Sequence, residues 1–368
     1  MRVLGFMTGT SLDAVDMAVL ETDGETITAF GPAGERKLSE ATRDAALRAI
    51  KAALAWSRGT PAPAVFAETA RAVAEEHFAA AQGFLAANGL AWGDIDLMGM
   101  HGQTVLHERP KDGVAGRTVQ LGDAALLARL AGVPVAHDFR TADVAGGGEG
   151  APLAPIYHLA RARASGIEAP LAVLNVGGVA NVTLWAGGDD IAAFDTGPGN
   201  GMIDLLVQGR GAGRFDDGGR LAAAGRVDET VLAAFLGHPY FCAPPPKSLD
   251  RYDFPLETLS HLSLEDAAAT LVAFTAEAVG RGLALMDGSP RQVVVCGGGR
   301  HNPQIMAALA QRLSAPVRNA DSLGWRGDAI EAEAFAYLAA RTARGLPISF
   351  PKTTGVPAPL AGGRILRP

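Results

Sequence analysis

A strand, a glycine-bearing turn and a returning strand occur twice in this chain, and that repetition constrains the fold more than any other feature. Residues 3–6 read as the first strand, Met7-Thr-Gly-Thr-Ser11 as a tight turn, and residues 12–20 as the strand that comes back. In the returning strand Asp16, Ala18 and Leu20 alternate with Val15, Met17 and Val19. Residues 171–176, Gly177-Gly178 and residues 179–185 repeat the plan with negligible sequence identity. A duplicated fold that grips one ligand between its halves follows, and a length of 368 residues, too long for one ordinary core, suits two lobes. The first turn brings backbone N–H groups and two hydroxyls into one concavity, which holds phosphate oxygens without a lysine. An ordinary polar hairpin is the other reading of the same residues.

The densest chemistry lies in residues 191–204, where an apolar run ends in Asp195, the glycine-rich turn Thr196-Gly-Pro-Gly199 follows, and a helical pattern opens at Asn200. A carboxylate at the end of a buried strand, before a turn too small to cover it, sits where open α/β folds do chemistry. Taken alone, Asp-Thr-Gly equally describes an aspartate that caps its own turn.

Around these lie further elements. Helical spacing appears at 41–56, through Leu47, Ile50 and Leu54, and at 63–87, where His77 reads as a surface residue. A buried strand at 95–100 delivers His101-Gly-Gln-Thr104, whose polar tips suit sugar hydroxyls or simply a satisfied turn histidine. A short helix with its approach spans 120–132, and a strand spans 133–136. Arg140, beyond it, either clamps a carboxylate or phosphate or pairs with Asp138 or Asp143. The Gly- and Pro-rich stretch 145–155 reads as a hinge or linker, with the strands of the second lobe starting near Leu171. Residues 209–225 read as a loop, and Lys247 in a rigid proline segment either reaches a phosphate or faces solvent. Ser263-Leu-Glu-Asp266 matches a capping box for a helix to about Met286. Gly297-Gly-Gly299, between a strand at 292–296 and a helix near Pro303, lets backbone approach a flat ligand such as an adenosine. A last amphipathic helix covers 328–344, and the tail shows little regular pattern.

Bulk numbers exclude several classes. The formal charge of −7, without a basic block, argues against nucleic acid as a partner. Two cysteines make neither a disulfide framework nor a Cys-rich metal site and fit a reducing cytoplasm. Asp13 and Asp16 interrupt the N-terminal apolar residues before a signal-peptide core forms, and no uncharged apolar run of membrane-spanning length escapes Asn, Gly or Pro, so a soluble, cytoplasmic protein is expected. No Walker-type loop occurs. Gly146-x-Gly148-x-x-Ala151 lacks the buried strand that a dinucleotide fingerprint needs.

The motifs, taken in order, resemble those of the anhydro-N-acetylmuramic acid kinase family. They are Met7-Thr-Gly-Thr-Ser-Leu-Asp13, His101-Gly-Gln-Thr-Val105, Gln120-Leu-Gly-Asp123, Asp138-Phe-Arg140, Gly150-Ala-Pro-Leu153, Asn175-Val-Gly-Gly-Val-Ala-Asn181, Asp195-Thr-Gly-Pro-Gly-Asn200, Pro245-Pro-Lys-Ser248, Gly297-Gly-Gly299 with Asn302-Pro303, and Asp328-Ala-Ile-Glu-Ala332. The resemblance implies a two-lobed α/β fold of the actin-like ATPase class (ribonuclease H-like and duplicated), with the active site in a cleft between lobes. It divides the chain into lobe I, residues 1–140 plus 328–368, and lobe II, residues 141–327. It implies an enzyme of peptidoglycan recycling, usually a homodimer, that uses ATP, Mg2+ and water to open the 1,6-anhydro ring and phosphorylate O6. Asp195 would then be the general base. Gly9, Thr10, Ser11, Leu12, Asp13, Ala14, Val15 and Asp16 would hold ATP phosphates from one lobe, and Gly177 and Gly178 from the other. Gly297, Gly298, Gly299 and Asn302 would face the adenosine; His101, Thr104, Arg140 and Glu331 would face the sugar. Asp13 or Asp16 would hold the metal through water.

The chain departs from the family at Thr8 and Ala14, where serine and glycine are usual, at Glu149 in place of glutamine, and at Leu249-Asp250 in place of Thr-Gly. A kinase of another hexose or amino sugar would use Asp195 on a sugar hydroxyl instead. An actin- or chaperone-like nucleotide switch would carry an added peptide-binding or polymer-contact region, and none is visible in the sequence. A dehydrogenase is the remotest of the rivals.

Overall fold

The computed structural model describes residues 1–9, 11–110, 113–249, 253–286 and 288–368. Its strands are β1 (Arg2–Met7), β2 (Ala14–Thr22), β3 (Ile27–Lys37), β4 (Leu97–Met100), β5 (Gln103–Glu108), β6 (Arg117–Leu121), β7 (Val135–His137), β8 (Leu171–Val176), β9 (Val179–Gly187), β10 (Asp190–Pro198), β11 (Gln292–Cys296), β12 (Val317–Asn319), β13 (Pro347–Ser349), β14 (Leu360–Ala361) and β15 (Arg364–Leu366). The chain forms two units, Met1–Gly166 with Ala329–Pro368, and Ile167–Asp328.

Unit 1 carries the sheet β15-β7-β4-β1-β2-β3 and unit 2 the sheet β10-β9-β8-β11-β12. In unit 1, β1, β2 and β3 form an antiparallel meander, and β4 and then β7 add in parallel on the far side of β1. In unit 2, β8, β9 and β10 do the same, with β11 and β12 added in parallel. The order three-two-one-four-five, with the same directions, therefore occurs twice. This is the duplicated ribonuclease H-like α/β fold.

At the centre of the unit 1 sheet, β1 and β4 are buried on both faces and read as near-continuous apolar runs. Leu4, Phe6, Met98 and Met100 pack toward the helices Val65–Ala87 and Ala124–Ala131. The opposite face takes the helix Ile330–Ala343, which approaches so closely that a Cβ on Gly5 would sit 2.0 Å from the Ala332 oxygen and one on Gly99 2.2 Å from that of Phe335. Gly5 and Gly99 are neighbours across β1 and β4, so together they cut the groove that admits the helix. In unit 2 the long helix Leu264–Ala284, capped by Ser263 accepting from the Asp266 N–H, packs across β10 and β9 into one large core.

Several elements differ from the sequence reading. The first helix, Glu40–Leu54, buries Ala45, Ala46, Ala49 and Ala53, while Leu47 and Leu54 are 44% and 80% exposed. In an alanine-rich helix the small residues mark the contact face, because they permit close approach. His77 is wholly buried, not on the surface. Residues 103–121 hold the β5–β6 hairpin. The stretch 145–155 is no linker: the buried Asp143 carboxylate accepts the Gly150 N–H at 2.6 Å and the Thr354 hydroxyl at 2.5 Å, and the Glu149 N–H donates to the Thr354 carbonyl. The helix Pro155–Ala164 also packs within unit 1, against β3 and Ile330–Ala343, so the first unit extends past residue 140 to Gly166. The tail is structured as well, since β15 pairs antiparallel with β7.

Candidate active site

In unit 2, β10 does not stop at Asp195. It runs on to Pro198, and its register against β9 shifts between Asp195 and Gly197. A bulge of this kind re-aims a side chain. Asp195 is half-buried and clasped from one side by residues 240–249. Its N–H donates to the Lys247 carbonyl at 3.0 Å, its carbonyl accepts from the Tyr240 hydroxyl, and its Oδ2 accepts the Leu249 N–H at 2.8 Å. Lys247 is half-buried and folds back on its own segment. Its ammonium donates to the Tyr240 carbonyl at 2.7 Å and lies 4.5 Å from the Tyr240 ring centroid, and partial burial lowers its pKa. Leu249 contacts Asp195 through its backbone, so a change of side chain there leaves the contact in place. Asp250 lies outside the described residues.

The Gly177-Gly178 turn is the platform on which the helix Asn200–Gly209 begins. The Gly177 carbonyl accepts the Asn200 N–H at 2.7 Å, and the Gly178 carbonyl accepts those of Gly199 and Gly201 at 3.1 and 3.0 Å. A Cβ on Gly178 would meet nothing within 4 Å, so the turn itself stays open on that side. The three glycines after β11 divide their roles. Gly297, at φ +75°, would press a Cβ to 2.2 Å from Asn175 Oδ1, and Gly299 would press one to 2.3 Å from Val176 Cγ1. Both therefore serve close packing on β8. Gly298 lines a cavity of about 390 Å³ together with Asn200, Ile203, Phe215, Asp216, His301 and Asn302. Asn302 spends its Oδ1 on the N–H groups of Gln304 and Ile305, capping the helix Pro303–Arg312.

Two residues here escaped the sequence reading. Phe215, 55% exposed, offers the cavity an apolar ring from a stretch that read only as loop. Arg300, 4% exposed, braces the glycine turn from behind, donating to the Gly297 carbonyl at 3.1 Å while paired with Asp328 and Asp321. Nothing in its local sequence separates it from a surface arginine.

In unit 1 the turn between β1 and β2 is held at several points. The Leu12 N–H donates to the Gly9 carbonyl at 3.2 Å, the Gln103 amide donates to the same oxygen at 3.4 Å, and the Leu38 N–H donates to the Asp13 carbonyl at 2.9 Å. Leu12 sits at φ +56° with its side chain buried, as is that of Val15, so either residue would meet a ligand through backbone alone. Ser11 and Asp13 are exposed; Gly9, Ala14 and Asp16 are half-buried; Thr10 lies outside the described residues.

The residues expected at the sugar also gather in unit 1. Arg140 forms neither of the expected ion pairs. Its Nε–H donates to His101 Nε2 at 3.0 Å and its Nη1 to the Gly150 carbonyl at 2.7 Å, while Asp138 pairs with Arg364. Desolvation pulls the guanidinium down to about 10, with Glu331 and Asp143 opposing. The surrounding protein raises the Glu331 carboxyl, and Arg140 opposes that rise, although Glu331 reaches solvent. Because an arginine only donates, His101 Nε2 is the acceptor and its proton resides on Nδ1. Burial and then Arg140 hold this imidazole neutral, its pKa well below the ordinary value. Its Nδ1 is buried without a partner among the described residues, and so is Gln103 Oε1. A buried donor and a buried acceptor thus stand either side of Gly102 without protein partners among the described residues. Thr104 is half-buried, with its hydroxyl 3.4 Å from the Gln120 amide. Glu149 stands 3.9 Å from Arg109, which offsets its charge.

A family model for anhydro-N-acetylmuramic acid kinase matches residues 1–367. The chain belongs to that family. Among its relatives, an anhydro-N-acetylmuramic acid kinase from Phenylobacterium zucineum is 76% identical over 368 residues, covering all of both chains. Another, from Caulobacter vibrioides, is 70% identical over 366 residues, covering 100% of this chain and 99% of that one. A third, from Methylobacterium nodulans, is 50% identical across the full length of both. The family's motifs fall at the features just described: the first turn, the histidine at the end of β4, the bulged β10, and the glycines after β11.

Proposed function

We propose that this chain uses ATP and water to open the 1,6-anhydro bond of anhydro-N-acetylmuramic acid and to phosphorylate O6, giving N-acetylmuramic acid 6-phosphate for reuse of cell-wall fragments. The observation that carries this reading is Asp195, whose carboxylate is aimed by a backbone N–H and whose main chain is pinned on both sides. A positioned carboxylate takes a proton from water as the water attacks the anomeric carbon. The C1–O6 bond breaks, O6 attacks the γ-phosphorus, and ADP leaves. Attack from the face opposite the leaving oxygen inverts the anomeric centre.

For the nucleotide, we assign the phosphates to the turn Gly9–Asp16 and to Gly177-Gly178, and the adenosine to the cavity lined by Gly298 and Asn302. The cavity volume of about 390 Å³ lies in the range of small-molecule sites. The sugar falls to His101, Thr104, Arg140 and Glu331, to which the unpartnered Gln103 oxygen adds an acceptor. Magnesium would neutralise charge on the transferring phosphoryl group. Among the described residues no group of three His, Cys, Asp or Glu could hold a metal ion, and one exposed carboxylate fits a magnesium that keeps phosphate oxygens and waters as most of its ligands. Asp13 or Asp16 would supply it through water. No helix among the described residues is long and apolar enough to cross a membrane, and we place the enzyme in the cytoplasm as a homodimer.

The test is turnover with ATP, magnesium and the anhydro sugar in oxygen-18 water. The reading expects one label on the anomeric hydroxyl and none on the phosphate. A phosphorylated product with an unlabelled anomeric oxygen removes the coupled hydrolysis.

A further inference from the structure

The turn between β1 and β2 is rooted in a buried hydrogen-bond relay that no assigned role uses. Thr8 follows β1 directly and is 2% exposed; His77, on the helix Val65–Ala87, is 0% exposed. Thr8 Oγ1 lies 3.1 Å from His77 Nε2, and His77 Nδ1 lies 2.7 Å from the Val73 carbonyl one turn earlier. A carbonyl only accepts, so Nδ1 carries the proton and Nε2 is left as an acceptor. The Thr8 hydroxyl must therefore donate to it. Donor and acceptor are thus fixed along the whole relay. The Phe6 ring, 5.1 Å away centroid to centroid, closes the site from the strand side.

We propose that His77 is a positioning residue for the triphosphate of ATP: through Thr8 it locks the root of the turn Gly9–Asp16, and so aims that turn's N–H groups. The inference rests on the assignment of this turn to the nucleotide phosphates. The turn itself is held by the Gln103 amide on the carbonyl of its first residue, Gly9, and by the Leu38 N–H on the Asp13 carbonyl. Thr8 anchors the residue immediately before Gly9 by its side chain. A hydroxyl at position 8 has a structural reason in this chain: the His77 Nε2 acceptor requires a donor.

The experiment compares MgATP affinity by titration calorimetry, MgATP KM and kcat, and melting temperature across variants. His77→Leu and Thr8→Val each break the relay and should raise the MgATP Kd and KM roughly tenfold or more, because misaimed phosphate contacts cost one to two orders of magnitude. The double variant should be no worse than the poorer single one, since both remove one interaction. Thr8→Ser and His77→Gln, which keep the donor and an acceptor, should recover most of the affinity. Thr69→Val is the control: Thr69 is buried on the same helix, donates to the Ala45 carbonyl, and should lower the melting temperature without moving the MgATP constants. The proposal is overturned if His77→Leu and Thr8→Val fold but bind MgATP within twofold of the parent, if their losses add in full, or if Thr69→Val weakens MgATP equally. The parent separates the two layers. A parent that binds MgATP but does not turn over the anhydro sugar defeats the proposed reaction and leaves the relay open to the same affinity measurements.

Discussion

Asp195 shows how much of one residue's role depends on groups far from it in sequence. Asp195→Asn keeps an oxygen for the Leu249 N–H and keeps the backbone clasp, but it removes the base. It should lower kcat by at least about a hundredfold with little change in melting temperature. Near-parental turnover in the folded variant would assign the base elsewhere. A second prediction concerns buried imidazoles. Burial holds His77 and His158 down to about 4 from an ordinary 6.5, so the unfolded chain takes up protons between those values while the folded chain does not. Stability therefore rises with pH across that window and is lost as pH falls from 6.5 toward 4, each histidine contributing on the order of 3 kcal/mol. Glu331, with its carboxyl raised, works against the trend with one group. Urea titrations from pH 7 to pH 4.5 should show a falling midpoint, and a flat profile would contradict the burial of these rings. Periodicity placed His77 on a helix but not on its buried face, because its partner Thr8 belongs to another element.

At the scale of elements, the hairpins announced themselves because alternation and a glycine turn are local properties. Helix faces and small strands did not. The alanine face of Glu40–Leu54 lost to its leucines, and β15 pairs with β7 across most of the sequence. The groove of Gly5 and Gly99 is of the same kind: two unremarkable glycines in separate strands become one surface only when β1 and β4 pair. Gly99→Ala would drive a Cβ to 2.2 Å from the Phe335 oxygen, which is main chain and part of a helix. The helix Ile330–Ala343 must then lift, at a cost of about 3 kcal/mol or more. Gly83→Ala, with nothing within 4 Å, is the matched control and should be neutral or stabilising by denaturant titration. Equal midpoints for the two variants would mean that the helix does not ride on the sheet as described.

For the whole molecule, light scattering should give twice the chain mass of 37.8 kDa if the homodimer expected of the family forms, and a mass of 37.8 kDa would remove it. The sequence by itself determined the duplicated hairpins, the aspartate-glycine stretch, the glycines after β11 and, through the ordered motifs, the family, because each of these is written in neighbouring residues. Only the tertiary structure decided which glycine lines a cavity and which two serve packing, what clasps Asp195, why Arg140 meets a neutral His101, and that the first segment of unit 1 runs to Gly166. Those outcomes turn on distances between residues far apart in the chain, and such distances exist only once the sheets have paired and their helices have closed on them.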